Sequence, residues 1–395
     1  MKLHIHATNL ALGIVEFFLF WSKIPSHMKK LSLLLLLSLS VWAQEKIDLG
    51  PLKGGGYQVL MPAKWNKKLV MYAHGYQFMG SPAASANAGL EKRLKGILDR
   101  GFAVAASDYP IQGFALAEGV DATEELRKAF IQKIGQPDST FMMGHSMGGG
   151  VTFAVLENFG QYYQGGLPLC PLSSRPYLQC RKEFDMYATF NGLFPGIVPR
   201  LSDIFNPASS VGFVSLSTAG PRMAEIKKAI LQKDSVLAVA FAKRFDLKLD
   251  DLPGSLFFNQ NVLRDIALKL GGNPFDNTQT LYSGYPDNGL VNAKAERLAA
   301  TQNPDRLFAR YDRSGKINTP VVLMHTLYDQ LIPPSYAVTN IENMIHAQGR
   351  DAYFAVKYTN GQAHCQFTDA QTMRAFEAMR AFAKTGKKPA MEYLP

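Results

Sequence analysis

At 395 residues, 47% hydrophobic and 19% charged, the chain has the composition of a globular protein with a large core, not of a disordered, collagenous or repeat protein. Its formal charge of +10 is scattered, with no run of five like charges and no interleaving of arginine with aromatics, which argues against nucleic-acid binding. The first 43 residues hold Lys2, Lys23, Lys29 and Lys30 against Glu16, so +7 of that charge lies downstream of them.

The N-terminal segment reads as a targeting signal. Met28-Lys29-Lys30 precede an apolar run from Leu31 to Trp42, and Val41-Trp42-Ala43 supply the small residues of a cleavage site before Gln44. The run is shorter than the roughly 20 residues that span a bilayer, so no stable membrane anchor is expected. Translation is expected to start at Met28, residues 1–43 to be removed, and the mature protein to be secreted or periplasmic. Cys170, Cys180 and Cys365 then imply one disulfide and one free thiol, with all three pairings open. No cysteine–histidine spacing resembles a zinc site, and neither a metal nor a cofactor is expected.

From residue 56 onward, strand-like and helix-like segments alternate, the pattern of a mostly parallel sheet covered by helices. Tyr57–Met61 is an early strand, and Leu69–Ala73 is apolar throughout, as a strand buried on both faces should be. Ala86–Leu98 has helical spacing, Phe102–Ala106 is a second buried strand, and Asp121 to Glu124 can cap a helix running to Ile134. Thr140–Met143 then leads into Gly144-His145-Ser146-Met147-Gly148, and a helix is expected from Val151 to Asn158. Gly-x-Ser-x-Gly between a strand and a helix is the setting in which a strained serine projects its hydroxyl, making Ser146 the candidate nucleophile.

Gly166–Leu169 is a short strand candidate despite Pro168, which suits a central strand badly. The next strand is Val321–His325. The intervening length far exceeds a crossover connection, and Ala224–Leu247 and Val262–Leu270 have helical periodicity. Residues 172–300 are therefore expected to form an inserted helical cap, with 44–171 and 301–395 as the core. Its aromatics, among them Phe184, Phe190, Phe241, Phe257 and Phe258, either pack its own interior or line an apolar pocket. Ser335–Gln348 is a helix, Ala352–Lys357 the last strand and Phe367–Lys384 a final amphipathic helix.

A serine nucleophile needs a base, an acid that orients it, and donors for the oxyanion. Five histidines lie beyond residue 43: His74 in a turn, His145 inside the elbow, His325 closing a buried strand, His346 in a helix, and His364 in the loop after the last strand. Only His364 is where a base can reach back to Ser146. Asp329, on the loop after Val321–His325 and ahead of Ile332-Pro333-Pro334, is the expected acid, with Asp312 and Asp351 as competitors.

The chain order Ser146, Asp329, His364, together with His74-Gly75 and Gly144-His145-Ser146-Met147-Gly148-Gly149, resembles the α/β-hydrolases, specifically the serine esterases and lipases with a large helical cap. That resemblance implies an α/β fold with a mostly parallel central sheet flanked by helices. It also implies an oxyanion hole from the backbone amides of Tyr76 and Met147. Gly361-Gln362-Ala363-His364-Cys365 is similar to the tannase and feruloyl-esterase group, where a cysteine before the serine is bridged to one after the histidine. Here position 145 is histidine, so that bridge cannot form in its family position. The expected activity is hydrolysis of a small-molecule or oligomeric carboxylic ester through an acyl-enzyme. A secreted peptidase of prolyl-oligopeptidase type and a non-catalytic hydrolase-like binding protein are the alternatives.

Overall fold

The computed structural model describes residues 45–82 and 85–395, and the expected leader and its cleavage site lie outside the described residues. Among the described residues, nine strands make one sheet: β1 (Glu45–Lys46), β2 (Tyr57–Met61), β3 (Lys68–Ala73), β4 (Phe102–Ser107), β5 (Ser139–His145), β6 (Gly165–Leu169), β7 (Val321–Thr326), β8 (Phe354–Thr359) and β9 (Glu392–Leu394). Their order is β1-β2-β4-β3-β5-β6-β7-β8-β9. The pairs β1–β2 and β2–β4 are antiparallel, and every other neighbouring pair is parallel.

Burial on both faces explains the unbroken apolar runs. Along β3 and β4, Leu69, Met71, Ala73, Ala103 and Ala105 point into one core, while Val70, Tyr72, Val104 and Ala106 point into the other. The first core is closed by α1 (Leu116–Ile134) and α2 (Met147–Phe159). The insertion between β6 and β7 carries α3 (Pro176–Leu193), α4 (Ala219–Arg244) and α5 (Leu252–Leu270). Beyond β7 come α6 (Pro334–Ala347) and α7 (Asp369–Thr385). The second core is closed by α7 and by two short helical turns, Leu90–Arg93 and Lys95–Leu98. Each large apolar side chain so enclosed contributes roughly 1.5–3 kcal/mol.

Several expectations are corrected. The helix expected over Ala86–Leu98 starts only at Leu90, because Gly89 takes a left-handed φ of 70°, and it is interrupted at Leu94, whose φ of −107° and ψ of 18° are not helical. Helix α1 starts at Leu116, so Asp121 lies within it and caps nothing. Burial of Leu116 and Val120 extends the helix back past the polar residues, and Asp121 instead meets Arg310 and the Tyr311 hydroxyl. Helix α2 begins directly after Ser146, not at Val151. Helix α5 begins at Leu252, with Pro253 in its first turn where no amide hydrogen is needed. Pro168 is accommodated in the middle of the sheet because β6 and β7 pair only at Gly166 with Val321 and at Leu169 with Met324. No ladder bond from position 168 is required there.

Many of the aromatics of the insertion pack with one another, while Phe257 and Phe258 meet Tyr76 and Phe78. Phe190, Phe194 and Phe241 form one cluster, and Phe184, Phe205 and Phe275 another. Among the described residues, no helix is long and apolar enough to cross a membrane.

Candidate active site

The turn after β5 is tight by necessity. Ser146 adopts φ 58° and ψ −123°, a conformation that costs a non-glycine residue about 1–3 kcal/mol and persists only where the surroundings hold it. They do so by close contact and by hydrogen bonding. A Cβ on Gly148 would lie 2.1 Å from the Ala73 carbonyl oxygen, and one on Gly144 would lie 2.3 Å from the Gly148 oxygen. The Ser146 amide donates to the Leu169 carbonyl at 2.9 Å, and the Ser146 carbonyl accepts from Leu172 at 2.9 Å and Gly150 at 3.1 Å. The serine is thereby fixed at the carboxyl end of the sheet, at the head of α2.

The loop after β7 carries Asp329, whose Oδ1 accepts from the amides of Leu331 at 2.9 Å and Ile332 at 2.8 Å. Its other oxygen, Oδ2, faces His364 Nδ1 at 2.7 Å. His364 follows β8, and its Nε2 lies 2.8 Å from Ser146 Oγ. Three side chains far apart in sequence thus form one hydrogen-bonded relay. Burial alone would raise the Asp329 carboxyl, but the charge and hydrogen bond of His364 outweigh it and hold the group below the usual carboxylate range. With Asp329 ionised, Nδ1–H of His364 donates to it, and in the neutral imidazole that leaves Nε2 to accept from the serine hydroxyl.

The turn bearing the expected oxyanion amides lies against Ser146. A Cβ built on Gly75 would sit 3.2 Å from the Ser146 Cβ, so the chain brings Tyr76 beside it, while Met147 is the first residue of α2. Among the described residues, neither the Tyr76 nor the Met147 amide is taken by another acceptor. Ser146, Met147, Tyr76 and His364 line one pocket. The insertion supplies the far wall through Gln179, Cys180 and Glu183 of α3 and Phe258 and Val262 of α5. Phe258 is thus one of the insertion aromatics that reach the pocket, whereas most are core.

The remaining histidines and acids lie elsewhere. His145 turns to the opposite face, with Nδ1 3.1 Å from the Tyr72 hydroxyl and its ring against Phe367. His74 stacks on Tyr109 at 3.8 Å between ring centroids, and His325 is fully buried with Nδ1 near the Thr326 carbonyl. His346 is exposed beside Asp351, and Asp312 pairs with Arg175.

Of the three cysteine pairings, the structure makes Cys170–Cys365, leaving Cys180 free and buried. Cys170 directly follows Leu169, which is in register with His145, so the bridge ties the His364 loop to the strand beside β5, the strand that leads into Ser146. Cys170, His364 and Cys365 lie close together, but with both sulfurs bonded to each other this is not a metal-binding set. Three supporting residues had no sequence signal. Gln330 Oε1 accepts from the His364 amide at 2.8 Å, and α3 brings Gln179 and Glu183 to the pocket.

Neither a protein-family model nor a curated protein matches the chain. Among solved structures it is similar to the acylaminoacyl peptidase of Pyrococcus horikoshii, with a TM-score of 0.43, 10% identity, and coverage of 92% of this chain and 44% of that one. The chain therefore spans less than half the length of that peptidase. It is also similar to Est1E from Butyrivibrio proteoclasticus, with a TM-score of 0.39, 13% identity, and coverage of 87% and 98%. A thermophilic esterase from Thermogutta terrifontis gives a TM-score of 0.40 at 12% identity, covering 87% and 99%. Strand order, the two antiparallel pairs at one edge, and a positive-φ serine between β5 and α2 are this molecule's own features. By them, the chain has the α/β-hydrolase fold.

Proposed function

We propose that this protein is a serine hydrolase that cleaves carboxylic esters through an acyl-enzyme intermediate. The observation that carries the reading is the relay itself, with His364 Nε2 at 2.8 Å from Ser146 Oγ and Nδ1 at 2.7 Å from Asp329. As Ser146 Oγ bonds to the substrate carbonyl carbon, its proton passes to His364 Nε2, and Asp329 stabilises the imidazolium. The carbonyl oxygen takes the negative charge and is received by the amides of Tyr76 and Met147. Collapse breaks the carbon–oxygen bond to the alcohol, which takes the proton from His364. Water then repeats the sequence on the acyl-enzyme and releases the acid.

The partner is accordingly a small-molecule or oligomeric ester, with the insertion acting as a cap over the pocket. Its largely apolar walls suit an acyl chain better than an extended peptide. The Cys170–Cys365 bridge supports an oxidising, extracytoplasmic location. The test is labelling by a fluorophosphonate and turnover of short p-nitrophenyl esters, both abolished by Ser146→Ala in a variant that keeps its circular dichroism. Labelling without ester turnover but with cleavage of fluorogenic amides would transfer the reading to a peptidase. A wild-type protein that neither labels nor turns over would reduce it to a binding protein.

A further inference from the structure

The Cys170–Cys365 bridge lies against the imidazole of the relay. Cys365 Sγ is 3.4 Å from His364 Nε2, the same nitrogen that stands 2.8 Å from Ser146 Oγ. Both sulfurs and a ring nitrogen of His364 fall within 4.8 Å of one another. Cys170 is fully buried, but Cys365 is half-buried and lines a second cavity with Arg93, His145, Phe367 and Asp369, none of which borders the pocket at Ser146. A small reductant can therefore reach the bridge without passing through the substrate pocket. In a tetrahedral zinc site, with bonds of about 2.3 Å to sulfur and about 2.0–2.1 Å to nitrogen, a sulfur and a nitrogen stand roughly 3.5 Å apart. Cys365 and His364 already hold that spacing.

We infer that, once the bridge is reduced, Cys170, Cys365 and His364 form a site for Zn²⁺ or another thiophilic divalent cation, and that the bound ion silences the relay. A dithiol reduces the bridge, becoming a disulfide itself and leaving two thiols on the protein. Binding of the cation releases both thiol protons and occupies the lone pair of Nε2. The sulfurs, no longer bonded, part to roughly 3.8 Å by side-chain rotation, as tetrahedral zinc requires. Their Cα atoms, 5.3 Å apart, leave room for that without a change of backbone. The fourth position falls to water or to Ser146 Oγ. A nitrogen bonded to metal cannot take the serine proton, so Ser146 is left without its base. Oxidation reverses this, because forming the bridge consumes both sulfur ligands and leaves a single imidazole. The bridge thus does more than staple two loops: it keeps the base free of metal.

The experiment titrates Zn²⁺ and Co²⁺ into the protein, oxidised and after reduction with a phosphine, since a dithiol would itself chelate the metal. Zinc uptake is read against a chromophoric chelator, cobalt by its thiolate charge-transfer absorption, and the relay by the rate of fluorophosphonate labelling at Ser146. The reduced protein is expected to take up one ion with the thiolate band and to label about tenfold more slowly or worse, with EDTA restoring the rate. The oxidised protein is expected to do neither. Cys180 is free in both states, so the difference between them excludes it. Reduced His364→Ala is expected to bind zinc about tenfold more weakly or worse, a loss that cysteines in an unfolded chain would not show. No uptake on reduction, equal affinity in His364→Ala, or equal slowing of the oxidised protein would each overturn the site. Slow labelling on reduction that zinc does not deepen would overturn the silencing and leave the bridge a positioning device. A protein that takes up zinc as expected but never labels would instead strike at the serine-hydrolase reading.

Discussion

Asp329 divides its work between its two oxygens, and that division makes it testable without unfolding the loop. Oδ1 accepts the Leu331 and Ile332 amides at 2.9 and 2.8 Å, and Oδ2 alone meets His364. In Asp329→Asn the side-chain oxygen can keep both backbone bonds while the amide nitrogen presents a donor to His364 Nδ1. The imidazole is then driven to the tautomer with hydrogen on Nε2, which cannot take the serine proton. The expected result is a fall in kcat of about 10³–10⁴ with little change in KM or melting temperature. Steady-state kinetics with a thermal melt decides it, and a large loss of melting temperature would mean that Asp329 is chiefly a structural residue. Gly148→Ala should behave in the opposite way. Its new Cβ meets the Ala73 carbonyl oxygen at 2.1 Å, so the elbow must shift, with an expected destabilisation of about 1–3 kcal/mol and loss of labelling at Ser146.

At the level of elements, what the sequence makes legible follows from how uniformly an element is buried. Strands β3, β4 and β7 are enclosed on both faces, so their residues form unbroken apolar runs that can be read directly. The start of α1 was not legible, because Leu116 and Val120 gain more from the core than the polar stretch at Asp121 gains from capping. Ser146, Asp329 and His364 could be named because each follows a strand of the sheet, whereas Gln330, Gln179 and Glu183 depend on tertiary approach alone. The disulfide is of the same kind, since Cys170 is identified as the partner of Cys365 only once β6 lies beside β5. That bridge has its own consequence. Cys365 adjoins His364, so Cys170→Ser/Cys365→Ser is expected to lower stability by about 2–4 kcal/mol. It is also expected to lower kcat per labelled serine by about tenfold, as the imidazole loses part of its positioning. Counting active serines with a fluorophosphonate separates the two effects, and an unchanged kcat per labelled site would make the bridge purely a stabilising staple.

For the molecule as a whole, stability should fall on the acid side of neutrality. His74 and His325 are 3% and 0% exposed, each has a buried Nε2 with no partner, and burial holds both below the ordinary histidine pKa. A depressed value means that the unfolded chain takes up a proton near pH 6.5 that the folded chain does not. Their contribution is therefore full above about pH 6.5 and is lost as the pH falls towards their folded values. Glu183 acts in the reverse sense, since its carboxyl is raised to about 7 and its contribution is lost as the pH rises through that value. His145, driven down to about 3 by burial, adds a third contribution of the same sign as these two histidines, so below about pH 6.5 the histidines outweigh the one carboxyl and stability rises towards neutrality. Urea unfolding at several pH values in that window measures the slope directly. His325→Gln removes one of these protons, so its slope should be shallower than that of the wild type whatever its own stability at pH 7. A slope identical to that of the wild type would mean that His325 does not stay neutral in the folded protein.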